Sequence, residues 1–297
     1  MSVIPDPAFT LRASGNLRRR QLVSRVFVGG AIAAATMAVA VLLILVYYVF
    51  KHGVSQISLS FLTGDLTPPT LGGSGGGIGP ALVGTVELVT LATLLALPVG
   101  VMTALYLSEY AGPQANHVLR MMLDLMAGLP TIIAGVFVAG LLANRYGPSA
   151  LAGGLALSIV EVPLIARASL ESISRVPGSM REAADALGVA RWRSIVGVIL
   201  PTASNGIVTA TILAVARAAG ETAPVLFACE LFGQGYSINP RHSVASVPLV
   251  IFQLLESGNP SSFDKAWGAA LTLMFLILAA NIGARVWLRR SERKRGQ

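Results

Sequence analysis

The chain has 297 residues, 54% hydrophobic and only 12% charged, and its mean hydropathy of +0.70 excludes an ordinary soluble domain, which carries about 25% charge. A formal net charge of +8 and a pI near 10.2 would suit a nucleic-acid binder. The basic residues fall between long apolar runs rather than on a soluble face, which argues against that class, and the single cysteine, Cys229, excludes an intrachain disulfide or a Cys-rich metal site.

The first predicted element is the apolar run from Val26 to Phe50, preceded by Arg18, Arg19, Arg20 and Arg25. At about 25 residues it exceeds the roughly 7–15 of a cleavable signal core and can cross a bilayer, so it reads as a retained first span. Segment 51–78 follows and ends in Gly72-Gly73-Ser74-Gly75-Gly76-Gly77, which reads as a flexible lead rather than a ligand site. No Gly-Lys-Ser/Thr follows those glycines, and no phosphate-binding loop of that pattern occurs elsewhere. The polypeptide is therefore expected to carry no ATP site of its own.

Apolar stretches at about 79–106, 120–143, 149–170, 195–222 and 266–288 complete six predicted spans. Each must cover about 30 Å of hydrocarbon, which takes ~20 helical residues, and a helix leaves no backbone group for lipid to satisfy. Pro98, Pro130 and Pro163 fall inside spans, where a helical bundle tolerates kinks. The shorter run Val247 to Leu255 suits a re-entrant or interfacial segment. The expected fold is therefore all-α, a polytopic membrane protein of six transmembrane helices. His52, His117 and His242 are scattered over loops with no metal-ligand spacing, and no nucleophile motif is present. No catalytic residue, metal or cofactor is expected.

Lysine and arginine counts orient the spans. The N-terminal tail (with Arg12), the connection ending at Arg120, the connection after the fourth span and the C-terminal tail hold 17 basic residues; the other side holds four, Lys51, Arg145, Arg241 and Lys265. Both termini are expected to be cytoplasmic. Arg217 belongs to neither count because it lies within the fifth predicted span.

The connection between the fourth and fifth spans runs from Arg181 to Pro201. Ser179 can cap a short helix containing Glu182, Ala183, Ala184, Ala186 and Leu187, Gly188 ends or bends it, and Pro201 restarts the chain as the fifth span. Ala183 and Leu187, four residues apart, form a small apolar ridge flanked by Arg181, Glu182 and Asp185. Composition alone leaves two uses open, resting on lipid headgroups or entering a groove on a soluble partner. The spacing adds more. Glu182, Ala183, Ala184, Gly188, Val198, Leu200 and Pro201 together resemble the EAA loop of ABC-importer permeases, with Val198 in place of a more usual isoleucine. That resemblance covers about 79–289 and implies a MetI-like type I ABC importer permease fold. It also implies a coupling helix seated in a cleft of a separate ATPase subunit, with Glu182, Ala183, Ala184, Gly188, Leu200 and Pro201 as coupling positions.

Past Pro201 the fifth span contains Arg217, and an arginine inside a span costs roughly 2.5–3.5 kcal/mol on insertion scales. Glu221 lies four residues on and can neutralise it, either as a packing salt bridge or as the partner of a cation in an anion pathway. The stretch Ala216 to Pro224, the run Gly76 to Thr85 and the pair Val247-Pro248 are similar to the phosphate-specific, PstA-type branch of these permeases. The resemblance implies that Arg217 and Glu221, together with Arg167 near the inner end of the fourth span, serve phosphate passage. Arg167 reads equally well as an ordinary interfacial anchor. Glu161, in the same span, is either its partner or a packing feature. Electrostatics would serve sulfate or molybdate as well as phosphate, so the choice of anion rests on the resemblance. A gradient-driven secondary transporter would show paired broken helices in inverted repeats, and no such pairing is visible in the sequence.

The implied partners are a second permease subunit (PstC-like), ATPase subunits (PstB-like) and an extracytoplasmic phosphate-binding protein (PstS-like), within membrane lipid and without nucleic acid. The expected organisation is a tail, first span and external segment over 1–78, an importer transmembrane domain over 79–289 with the EAA loop at 179–201, and a basic tail over 290–297. The location implied is the cytoplasmic (inner) membrane.

Overall fold

The computed structural model describes residues 17–67, 76–229 and 235–295, and among them no strand occurs. Gly72 to Gly75 of the predicted flexible lead, Arg12 of the N-terminal tail and residues 296–297 of the C-terminal tail lie outside the described residues.

Contacts divide the chain between Phe50 and Lys51. The first unit is the part of α1 (Leu17–Gly53) up to Phe50, a helix whose stretch from Val26 on is apolar all round, as a lipid-facing span requires. The second unit starts with the last residues of α1 and continues through α2 (Leu59–Thr63) and α3 (Gly79–Leu105), which a π-turn (Tyr106–Tyr110) lengthens. Next come α4 (Pro113–Gly128) and α5 (Thr131–Val138), the latter extended by a π-turn (Ala139–Ala143) into α6 (Asn144–Tyr146). Then follow α7 (Ala150–Ser174), α8 (Gly178–Ala186), α9 (Arg191–Ser194), a π-turn (Ile195–Ile199) and α10 (Leu200–Ala218). The remainder is α11 (Ala223–Ala228), α12 (Val247–Glu256) and α13 (Pro260–Arg295).

Among the described residues five helices are long and apolar enough to cross a bilayer: Arg19–Gln56, Gly79–Tyr110, Ala150–Ser174, Arg191–Ala218 and Pro260–Leu288. The chain is a multi-pass membrane protein. The third expected span, 120–143, does not form as one straight helix. Instead α4 meets the helix Thr131–Tyr146 at an angle of 93°. The break sits at Leu129 and Pro130. Proline has no N–H to continue the ladder and pushes the residue before it out of the helical region, and Leu129 accordingly has φ −68° and ψ 136°. Pro98 and Pro163 remain inside unbroken helices. The fifth span also differs from expectation: it begins at Arg191, and Pro201 is carried within it just after the π-turn rather than opening it.

α7 is the central helix, with Leu157, Ile165 and Ile173 fully buried, and its most extensive pairing is with α3. Small residues allow that approach, since lipid tails supply no hydrophobic drive and association must come from close packing. At Gly100 of α3 a Cβ would lie 2.9 Å from Ile165 Cγ2. At one end of the bundle Leu107, Leu123, Leu170, Ile173, Val176, Ile195 and Ile199 draw α3, α4, α7 and the fifth span into one cluster. At the other end Ile78, Ala81, Val247, Val250 and Ala266 join α3, α12 and α13. The expected short apolar segment is α12, a ten-residue helix packed into that second cluster.

Two of the sequence features singled out for their likeness to phosphate permeases meet here. Gly84 lies against the backbone of Ala245, where a Cβ would stand 2.1 Å from the carbonyl oxygen. The Val247 N–H donates to the Thr85 hydroxyl at 2.9 Å, and that hydroxyl donates onward to the Ala81 carbonyl at 2.7 Å. The run Gly76 to Thr85 and the pair Val247-Pro248 are thus two halves of one buried joint, which holds α12 on α3.

Candidate functional site

The 182–201 loop is built on a helix–turn–helix. α8 starts after Pro177, so Ser179 lies inside the helix and does not cap it. Its C-terminus closes with two bonds, Gly188 N–H to the Asp185 carbonyl at 3.0 Å and Val189 N–H to the Ala184 carbonyl at 3.0 Å. This is a Schellman ending, which places the residue at Gly188 in the left-handed region. Gly188 has φ +65°, a conformation that glycine adopts without strain. Ala184 is buried, whereas Glu182 and Ala183 are exposed. The apolar ridge faces outward: Leu187 is 81% exposed and Trp192, just past the turn, is 60% exposed. Leu200 is half-buried and Pro201 exposed on the first turn of α10.

In sequence Arg181 is a flank of the ridge and one of the basic residues that orient the loop; in the structure it makes the densest polar contacts in the loop. Its Nε and Nη2 donate to Glu109 Oε1 at 3.3 and 3.1 Å. Its Nη1 donates to the Val176 carbonyl at 2.8 Å and its Nη2 to the Ile173 carbonyl at 3.0 Å. Glu109, only 7% exposed, also accepts from the Ser108 hydroxyl at 2.9 Å. Beyond the turn, the Arg191 guanidinium lies 5.0 Å from the centre of the Tyr110 ring. No spacing rule flags a pair 72 residues apart; the one available signal was a carboxylate at the end of an apolar span.

Arg217 sits in the last turn of α10, and Glu221 lies in the turn just beyond the helix rather than on it. The pair still forms, with Arg217 Nε donating to Glu221 Oε1 at 3.4 Å. The other Glu221 oxygen accepts from the Thr131 hydroxyl at 3.5 Å. Thr131 is the first residue of α5, so the charge pair is tied to the break in the third span. Arg217 lines a cavity of about 300 Å³ with Ala127, Pro130, Thr131, Phe137 and Leu164. That is at the lower end of small-ligand sites, roughly 300–1,000 Å³. Arg217 is 57% exposed and Glu221 19%, so the guanidinium keeps donors free toward the cavity.

Arg167 is placed elsewhere. Its Nη2 pairs with Asp124 Oδ1 at 2.6 Å and donates to the Leu123 carbonyl at 2.8 Å. It lines a separate cavity of about 380 Å³ with Arg120, Asp124, Glu171 and Ser174. Glu161 is not its partner: Glu161 is buried against α3 and accepts from the Thr93 hydroxyl at 3.4 Å. Among the described residues no group of three or more His, Cys, Asp or Glu is placed to hold a metal ion.

Residues 96–297 match the family model described as binding-protein-dependent transport system inner membrane component. A protein of Methanocaldococcus jannaschii named probable phosphate transport system permease protein PstA is 38% identical over 237 residues, covering 80% of this chain and 82% of that protein. One from Mycobacterium tuberculosis, named phosphate transport system permease protein PstA 1, is 41% identical over 214 residues, covering 70% of this chain and 69% of its own length. Among solved structures, a bacterial ABC transporter that imports the acidic polysaccharide alginate superposes with a TM-score of 0.60 at 16% identity, covering 92% of this chain and 99% of its own. The MetNI methionine ABC transporter gives 0.56 at 18% identity, covering 72% and 94%. At these identities the structural likeness speaks for the fold alone, a MetI-like importer permease fold.

Proposed function

The chain belongs to the family of binding-protein-dependent transport system inner membrane components, and on that premise we propose that it is the permease subunit of an ATP-driven importer that forms part of the path for inorganic phosphate. The observation that carries the anion path is Arg217, a half-exposed guanidinium opening on a cavity at a broken span and held by a carboxylate at 3.4 Å. A dehydrated tetrahedral oxyanion offers guanidinium acceptors of the kind it binds best, and Glu221 competes for the same donors, so the anion is attracted without being trapped. The names of the curated relatives support phosphate over other oxyanions.

The exposed ridge of Leu187 and Trp192 around the Schellman turn supports docking on a separate ATPase. In this reading the subunit performs no chemistry and has no ATP site. Its partners are a second permease, ATPase subunits and an extracytoplasmic phosphate-binding protein. Both termini and the 179–201 loop face the cytoplasm, and residues 79–289 form the transport domain. Arg167, with its carboxylate neighbours, lies toward the cytoplasmic exit. Replacing Arg217 with Gln in the assembled importer tests the assignment. Phosphate uptake should fall by about tenfold or more, the scale of a lost charge-assisted bond, with subunit recovery unchanged. Undiminished phosphate uptake would overturn the role of Arg217, and loss of sulfate or molybdate uptake in its place would reassign the anion.

A further inference from the structure

We propose that the end of the second span, Glu109 and Tyr110, is gripped by both arms of the 179–201 loop, so that Arg181 and Arg191 are positioning residues that carry the loop's displacement into a third helix. The inference rests on the reading of that loop as the site where an ATPase docks. Connectivity alone links the loop to two helices, α7 before it and the fifth span after it. The side chains add α3. Arg181, seven residues before Gly188, spreads its donors over the Glu109 carboxylate, the Ile173 carbonyl in the last turn of α7 and the Val176 carbonyl just beyond it. Arg191, three residues after Gly188, lies over the Tyr110 ring. The turn they grip is itself closed: Ala111 N–H donates to the Tyr106 carbonyl at 2.8 Å, and Asn116 Nδ2 donates to the Leu107 carbonyl at 2.8 Å.

α3 and its π-turn run unbroken from Gly79 to Tyr110, 32 residues, or about 48 Å at 1.5 Å per residue. The far end of that rod holds α12 through Gly84, Thr85 and Val247. A stiff helix gripped at one end by the loop and joined at the other to α12 connects the two faces of the protein. A shift of the loop therefore reaches the opposite mouth directly, whereas the broken third span cannot pass it on in the same way. Glu109 is 7% exposed while Tyr110 is 49% exposed, so the two grips differ in what their loss costs the fold.

The test uses the complete importer in proteoliposomes, with phosphate accumulated, ATP hydrolysed and subunit recovery measured together. Glu109→Gln should lower phosphate moved per ATP by about tenfold, the scale of a lost charged hydrogen bond. Tyr110→Leu should lower it about threefold, and Tyr110→Phe, which keeps the ring under Arg191, should restore the ratio. ATP hydrolysis should persist in each. A ratio unchanged in both Glu109→Gln and Tyr110→Leu would overturn the inference, as would uptake and hydrolysis falling in parallel. Should Glu109→Gln fail to assemble, the exposed Tyr110 pair decides alone. If the unaltered complex takes up phosphate without ATP, the docking reading itself fails, a result distinct from either.

Discussion

Replacing Gly188 isolates a single physical term. At φ +65° an L-residue suffers the clash of its Cβ with the following carbonyl, which costs roughly 1–2 kcal/mol. Nothing else lies within 4 Å of a Cβ built there, so the whole penalty is backbone strain. Gly188→Ala should therefore leave the Schellman turn populated about fivefold to thirtyfold less, at 1.36 kcal/mol per factor of ten. Gly188→Val should cost more, because β-branched residues are genuine outliers at positive φ, and Gly188→Asn should cost less, because Asn tolerates that region. The assay is phosphate uptake per recovered subunit in the assembled importer, with ATP hydrolysis alongside. The expected order is Gly, then Asn, then Ala, then Val. If Asn and Ala fail equally, or Ala matches glycine, backbone strain is not what Gly188 avoids and the reasoning is wrong.

Gly84→Ala should damage the joint between α3 and α12, since its Cβ would meet the Ala245 carbonyl at 2.1 Å; overpacking of this kind costs typically 1–3 kcal/mol, read as a lower unfolding midpoint of the detergent-extracted protein. A Gly112→Ala control, with open space around its Cβ, should leave that midpoint unchanged. Burial pushes the Cys229 thiol up from 9.0 to about 12, with the nearby Glu87 adding to it. Above pH 9.0 an unfolded chain loses that proton while the folded one keeps it, so Cys229 should lower stability by up to ~1.4 kcal/mol per pH unit until about pH 12. Maleimide labelling at pH 8 should be negligible in intact membranes and complete after denaturation; ready labelling of the intact protein would contradict the burial.

The sequence already contained the membrane class, because lipid admits few spanning structures and a length of ~20 apolar residues is read directly. It contained the Gly188 turn as well, since a glycine after a helix-forming run is a local signal that needs no partner. The 93° break was half visible. Pro130 marked a weak point, but Pro98 and Pro163 look the same in sequence and leave their helices unbroken. Which proline breaks a helix depends on what packs beside it. Arg217 and Glu221 were legible as a pair four residues apart, although Glu221 meets Arg217 from a turn rather than from the same helix.

What only the tertiary structure decided are the contacts between residues distant in sequence. The sequence leaves Glu161 open as a partner of Arg167 or a packing feature, and the fold gives Arg167 Asp124 of α4 instead. Thr131 joins Glu221 across 90 residues, and Arg181 joins Glu109 across 72. Local spacing predicts hydrogen bonds within a helix because 3.6 residues per turn fixes which side chains are neighbours. Between helices the register is set by how small residues such as Gly84 and Gly100 let backbones approach, and one-dimensional periodicity does not contain it.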